Sequence, residues 1–265
     1  MKRTWSVSIL LVVLVTVAGC TGGVPDAPTG GNGGSGSSGG GGSSGDSGGD
    51  LDVADSERVL REAGSFTSSW AFTTVDTDGV ESRMSNRFAV DLAANRTSES
   101  LSMVGEEGVS YERFTADGTS YTRYGDGAEV FYQVMPVEDD PLADALSRGT
   151  GFGYGDVEEA RRVGTESFDG VTVDRYEYTD RTLWRQYGAT TFGTEENVTV
   201  TEFTVFVLVD GEGLARSTGW TLVGETDAGE TVTADWRFDL TGVGSTTVTD
   251  PDWLVEARGA GSATG

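Results

Sequence analysis

The chain has 265 residues and a formal net charge of −25, from 43 acidic side chains against 18 basic ones. It contains no histidine, one cysteine and, in Lys2, one lysine. This balance excludes a nucleic-acid binder, which needs a basic stripe. It also removes the commonest general base and metal ligand, together with the histidine-dependent triads. No metal, cofactor or enzymatic activity is therefore expected, since carboxylates spread along the whole chain single out no catalytic site.

In chain order, Lys2 and Arg3 form a basic head, Ile9–Ala18 an apolar stretch, and Val17-Ala18-Gly19-Cys20 a small-residue site ending in the lone cysteine. A charged head, a short apolar core and small residues are the order of a secretory signal. The stretch is shorter than the roughly 20 residues of a spanning helix. The site resembles the lipobox of prokaryotic lipoproteins, and the resemblance implies lipidation of Cys20; a chance cysteine behind an ordinary signal is the rival reading. Residues 1–19 are accordingly read as a signal peptide with lipobox. Residues 20–50 are read as the lipidated cysteine and a disordered Gly/Ser-rich tether with a mean reach of about 30 Å. The expected location is the extracytoplasmic side of the cell membrane. Because so acidic a chain is repelled by an anionic surface, attachment would fall to the lipid.

A folded domain is expected over 51–257, followed by a flexible tail over 258–265. Asp52 can cap a helix over Val53–Ala63 that stops at Gly64. Phe66, Ser68, Trp70 and Phe72 then alternate with small residues. Met84, Asn86, Phe88, Val90 and Leu92 alternate against Arg83, Ser85, Arg87, Ala89 and Asp91, so both segments read as half-buried strands. Further strands are expected at 97–104, 109–115, 119–124 and 128–135, with Asp117-Gly118 and Gly125-Asp126-Gly127 as turns.

Short helices are expected after Asp140-Pro141 and over Asp156–Arg162, the latter with acids first and arginines last. Strands resume at 163–168 and 171–179 around Asp169-Gly170, then at 198–209, 214–223 and 231–240. Both faces are apolar between Phe203 and Val209, which implies cover on both sides or a lined cavity. Asp180–Asn197 fits neither period and is read as a flap.

A leading helix, a long meander, a helical interruption and further hairpins ending near Pro251-Asp252-Trp253 resemble the LolA and LppX/LprG group of envelope lipoproteins. The local echo is Phe168-Asp169-Gly170-Val171-Thr172-Val173-Asp174-Arg175-Tyr176-Glu177-Tyr178. The chain also looks like an uncharacterised haloarchaeal lipoprotein family, with arginine as its positive charge and a hydrated carboxylate surface. The resemblance implies a mainly β (α+β) fold, a strongly curved antiparallel half-barrel with an N-terminal helix and short helices on the concave face. It implies a cavity for lipid or glycolipid, and no catalytic residue.

Trp70, Phe72, Phe88, Trp220, Trp236 and Phe238 are the candidate cavity lining, with simple core packing as the alternative. Leu142, Leu146, Phe152 and Tyr154 are the candidate lid, or else part of a permanently packed helix. Asn95-Arg96-Thr97 and Asn197-Val198-Thr199 match the glycosylation sequon. Glu138, Asp139 and Asp140 read as a solvated helix start, since they lack the spacing of a calcium loop. The leading expectation is a membrane-anchored lipoprotein that binds or carries a hydrophobic ligand; the second is an envelope interaction or sensor protein with a filled core.

Overall fold

The computed structural model describes residues 55–104, 110–125, 130–137, 160–179 and 198–262. Cys20, the helix expected after Asp140, the four lid residues, the 180–197 segment and Asn197 lie outside them.

The N-terminal helix, α1 (Ser56–Ala63), starts three residues beyond its expected start. Its cap is Asp55, whose Oδ1 accepts the Arg58 amide at 3.3 Å. Gly64 closes it as expected, in the left-handed region at φ 74°, with its amide donating to the Leu60 carbonyl. Ion pairs at i,i+4 spacing, Arg58–Glu62 and Arg61–Glu57, lie on its exposed side, while Leu60 is fully buried.

The rest is mainly β, as expected. Among the described residues eleven strands follow: β1 (Ser65–Val75), β2 (Glu81–Asp91), β3 (Arg96–Val104), β4 (Ser110–Ala116), β5 (Thr119–Tyr124), β6 (Phe131–Pro136), β7 (Arg161–Phe168), β8 (Val171–Tyr178), β9 (Val198–Asp210), β10 (Ala215–Thr226) and β11 (Thr231–Thr241). They form one antiparallel sheet, ordered β6-β5-β4-β3-β2-β1-β11-β10-β9-β8-β7. The sheet is unclosed, as a half-barrel requires, and twisted open sheets of more than about ten strands tend to curl. Each half is a meander, and β1 joins the halves by pairing with β11. Asp117-Gly118 and Asp169-Gly170 have positive φ at both positions (52° and 69°, 49° and 79°), the geometry of the tight hairpin turn their sequence signals.

Further sequence expectations are corrected. Arg161 and Arg162 are not the end of a helix but the start of β7, opposite Glu177 and Tyr176. The extended backbone lets Arg162 donate to Asp174 at 2.7 Å and to Thr165 at 2.6 Å. That hydrogen bond from Arg162 holds the Asp174 carboxyl below its usual range. The C-terminal segment expected as a free tail from residue 258 is instead helical: α2 runs Leu254–Ser262. Leu254 and Ala257 are buried, Trp253 stacks on Tyr132 at 6.2 Å, and the Arg258 guanidinium lies 5.7 Å from the Tyr121 ring centre. No helix among the described residues is long and apolar enough to cross a membrane.

The strand registers sort the side chains onto two faces. Phe66, Phe88, Val90, Phe238 and Leu240 share one face, where they pack with Leu60 of α1 and with Leu214. Arg83, Ser85 and Arg87 of β2, with Arg237 and Asp239 of β11, lie on the other. Near β4 this second face also acquires apolar cover: Ala89, expected among polar residues, is buried with Phe114, Ala116, Val248 and Leu254. In β9, Val205 and Val207 belong to the first face's core. Phe206, on the second face, is covered by guanidinium groups, Arg175 at 4.8 Å and Arg237 at 5.7 Å from its ring centre. The apolar run from Phe203 to Val209 is thus covered on one side by core and at Phe206 by arginine.

Candidate ligand-binding face

All six aromatic residues singled out in the sequence fall on the face that carries α1. The register explains this directly: Trp70 opposes Phe238 and Phe72 opposes Trp236 across β1–β11, while Trp236 opposes Trp220 across β11–β10. Ser68 opposes Phe88 across β1–β2, which brings Phe88 onto the same side. A period of two in four neighbouring strands suffices to gather them.

They do not share one environment. Phe88 and Phe238 are 4% and 5% exposed within the cluster that includes Leu60, so α1 packs them as core. Trp220 is buried in a second cluster with Phe203, Val205 and Leu222. Its ring meets Phe72 edge-on at 6.0 Å and Phe203 at 6.0 Å between ring centres. Trp70, Phe72 and Trp236 remain partly exposed between the two clusters. Of the six, these three keep part of their aromatic surface exposed.

Beside them lies a polar cluster that sequence reading missed. Glu99 of β3 is 3% exposed on the same face. Its Oε1 accepts from Asn86 Nδ2 and from the Tyr111 hydroxyl, both at 2.9 Å, and its Oε2 from Arg113 at 3.4 Å. A buried carboxylate needs such donors and a counter-charge, because desolvation otherwise outweighs its interactions. Asn86 opposes Trp70 in register, so the cluster adjoins the aromatic surface. Its signal in the sequence was an acid at the inward parity of β3, between Thr97 and Leu101. Thr115 and Thr122 are also buried on this side.

Asn95 occupies an exposed turn between β2 and β3, at φ 52°. Its side chain is accessible there, while Arg96 beside it pairs with Asp250 at 2.9 Å.

The described residues thus define a scaffold of one open antiparallel sheet, apolar and aromatic on the face that carries α1 and polar over much of the other. The chain belongs to a family of unknown function, DUF7537, whose model matches residues 6–257. No curated protein matches it. Among solved structures it is similar to LprF from Mycobacterium bovis, at 12% identity over 76% of this chain and 98% of that one, with a TM-score of 0.37. It is also similar to a LolA superfamily protein from Nitrosomonas europaea, at 12% identity over 76% and 97% of the two chains, with a TM-score of 0.20. The ywiB protein from Bacillus subtilis shares 8% identity over 68% and 96%, with a TM-score of 0.19.

Proposed function

We propose that this chain is a lipid-anchored envelope protein of a salt-adapted cell, and that its β domain binds a hydrophobic ligand on the face that carries α1. The observation that carries this reading is the partly exposed aromatic surface of Trp70, Phe72 and Trp236, flanked by buried clusters that fix it in place. Rigid aromatic side chains give large contact area at low entropy cost. The adjoining Asn86–Glu99–Tyr111–Arg113 cluster suits an amphipathic ligand, whose polar head would sit beside an apolar tail on the tryptophans. Anchorage rests on the sequence around Cys20, and the location outside the membrane on the signal before it. An acyl mass on the mature chain, read after denaturation of protein taken from its own membranes, tests the anchor; an unmodified mass refutes it.

Ligand binding is tested with 11-(dansylamino)undecanoic acid, whose dansyl group accepts energy from nearby tryptophan. The full chain should bind it saturably, and Trp236→Ala should weaken binding at least tenfold while the far-ultraviolet circular dichroism of the sheet is kept. No saturable binding, or equal binding by the variant, contradicts the reading. A filled-core interaction protein is the second reading, and the close packing of Phe88 and Phe238 near α1 favours it at that end of the face.

A further inference from the structure

On the opposite face, strand alternation places Arg83, Ser85 and Arg87 of β2 on one side in a row. Ser85 lies opposite Ala71 of β1 and Ser102 of β3, and Arg87 lies opposite Ser69 and Ser100. Short side chains between long ones leave a groove of about 250 Å³. Hydroxyl-bearing residues line its floor, and it is bounded along β2 by the two arginines.

The two arginines at this groove differ from most other described arginines. Nine described arginines, Arg113, Arg162 and Arg216 among them, are ion-paired to carboxylates. Arg83 and Arg87 are exposed and make no ion pair or hydrogen bond with their side chains, even though acids outnumber bases by more than two to one. The groove's own carboxylate, Asp239, is already engaged. It accepts from Arg237 Nε at 2.8 Å and from the Ser217 hydroxyl at 2.6 Å. Glu81, the next residue along that side of β2, is not paired with Arg83. The groove is therefore locally cationic on a protein that is strongly anionic elsewhere.

We propose that this groove binds the phosphate or sulfate ester of a sugar or other polyol. Four residues of strand separate the arginine backbones by about 13 Å. Both side chains are long enough to converge on one oxyanion held between them. Guanidinium groups match tetrahedral oxyanions in geometry and charge. Ser69, Ser85, Ser100 and Ser102 supply hydroxyls that both donate and accept, as recognition of a polyol requires. The site is independent of the aromatic face, since β2 turns Arg83, Ser85 and Arg87 away from Met84, Asn86 and Phe88.

The test is a calorimetric titration of the full chain with glucose 6-phosphate, glucose and inorganic phosphate at one fixed salt concentration. Glucose 6-phosphate should bind at least tenfold more tightly than either of the others. The double variant Arg83→Gln/Arg87→Gln should lose tenfold or more of that affinity, while keeping wild-type binding of the dansyl probe. Flotation of the full-length Cys20→Ser chain with vesicles of phosphatidylglycerol or of phosphatidylcholine separates the two sources of such a group. Arginine-dependent retention on phosphatidylglycerol assigns the groove to a lipid headgroup, and binding of the soluble ester alone assigns it to a free glycan or metabolite. The proposal is overturned if neither the ester nor phosphatidylglycerol vesicles bind, if the double variant binds equally well, or if inorganic phosphate binds as tightly as the ester.

Discussion

Phe66→Ala is expected to lower the unfolding free energy by about 3–5 kcal/mol, the range for removing a fully buried phenylalanine. Phe66 is 0% exposed and packs with Leu60 of α1, Phe88 and Val90 of β2, Leu240 of β11 and Leu214. It sits at the start of β1, the strand that joins the two meanders. Its ring therefore couples the helix to both halves of the sheet, and no single neighbour can fill its space. Since domains of this size are stable by about 5–15 kcal/mol, the loss would be a large fraction of the total. Urea denaturation checks it through the midpoint at unchanged slope. Phe131→Ala serves as the control: its side chain is 61% exposed, and the change should stay within about 0.5 kcal/mol. A loss below about 1 kcal/mol at Phe66 would mean that α1 does not pack there.

Gly219→Ala is expected to destabilise where propensity alone argues the reverse. Glycine inside a strand is usually worse than alanine by about 0.5–1 kcal/mol. Here, a methyl group on Gly219 would lie 2.5 Å from the Trp236 carbonyl oxygen and 2.7 Å from Cε1 of the Phe206 ring. The first obstacle is backbone of the paired strand and cannot yield. The second is a ring bounded by the Arg175 and Arg237 guanidinium groups. Overpacking of this kind costs about 1–3 kcal/mol, so a net loss near 2 kcal/mol is expected in thermal unfolding. A gain in stability would show that β10 and β11 do not meet in the register found here.

These two positions also mark what sequence reading can and cannot reach. The alternation of β1, β2 and β11, the Asp-Gly turns and the stop at Gly64 were legible because each rests on local chemistry: period-two burial, positive φ and a missing Cβ. The meeting of Trp70 with Phe238 was not, because it depends on β1 pairing with a strand some 160 residues away. Arg161 and Arg162 read as a helix end on local charge order, but pairing with β8 makes them strand, where Arg162 meets the cross-strand carboxylate of Asp174. Ala89 read as solvent-facing on alternation alone; the C-terminal segment that buries it, with Val248 and Leu254, begins more than 150 residues later.

The candidate site divides in the same way. Alternation puts the aromatic residues of each strand on one side of that strand, yet their gathering on one face, and which of them α1 packs as core, depend on tertiary contacts. Glu99 escaped notice because one acid among 43 carries no signal until its strand partners are known. The unpaired state of Arg83 and Arg87 was likewise invisible, since sequence gives charges but not their partners.

The most direct test of ligand binding on the aromatic face is native mass spectrometry of the full chain extracted gently from its own membranes. The expected result is a noncovalent adduct of discrete mass, released on denaturation and distinct from any acyl group covalently held at Cys20, which Trp236→Ala carries at markedly lower occupancy. A chain that flies at its covalent mass alone under the gentlest extraction, with no adduct in wild type, would contradict the account.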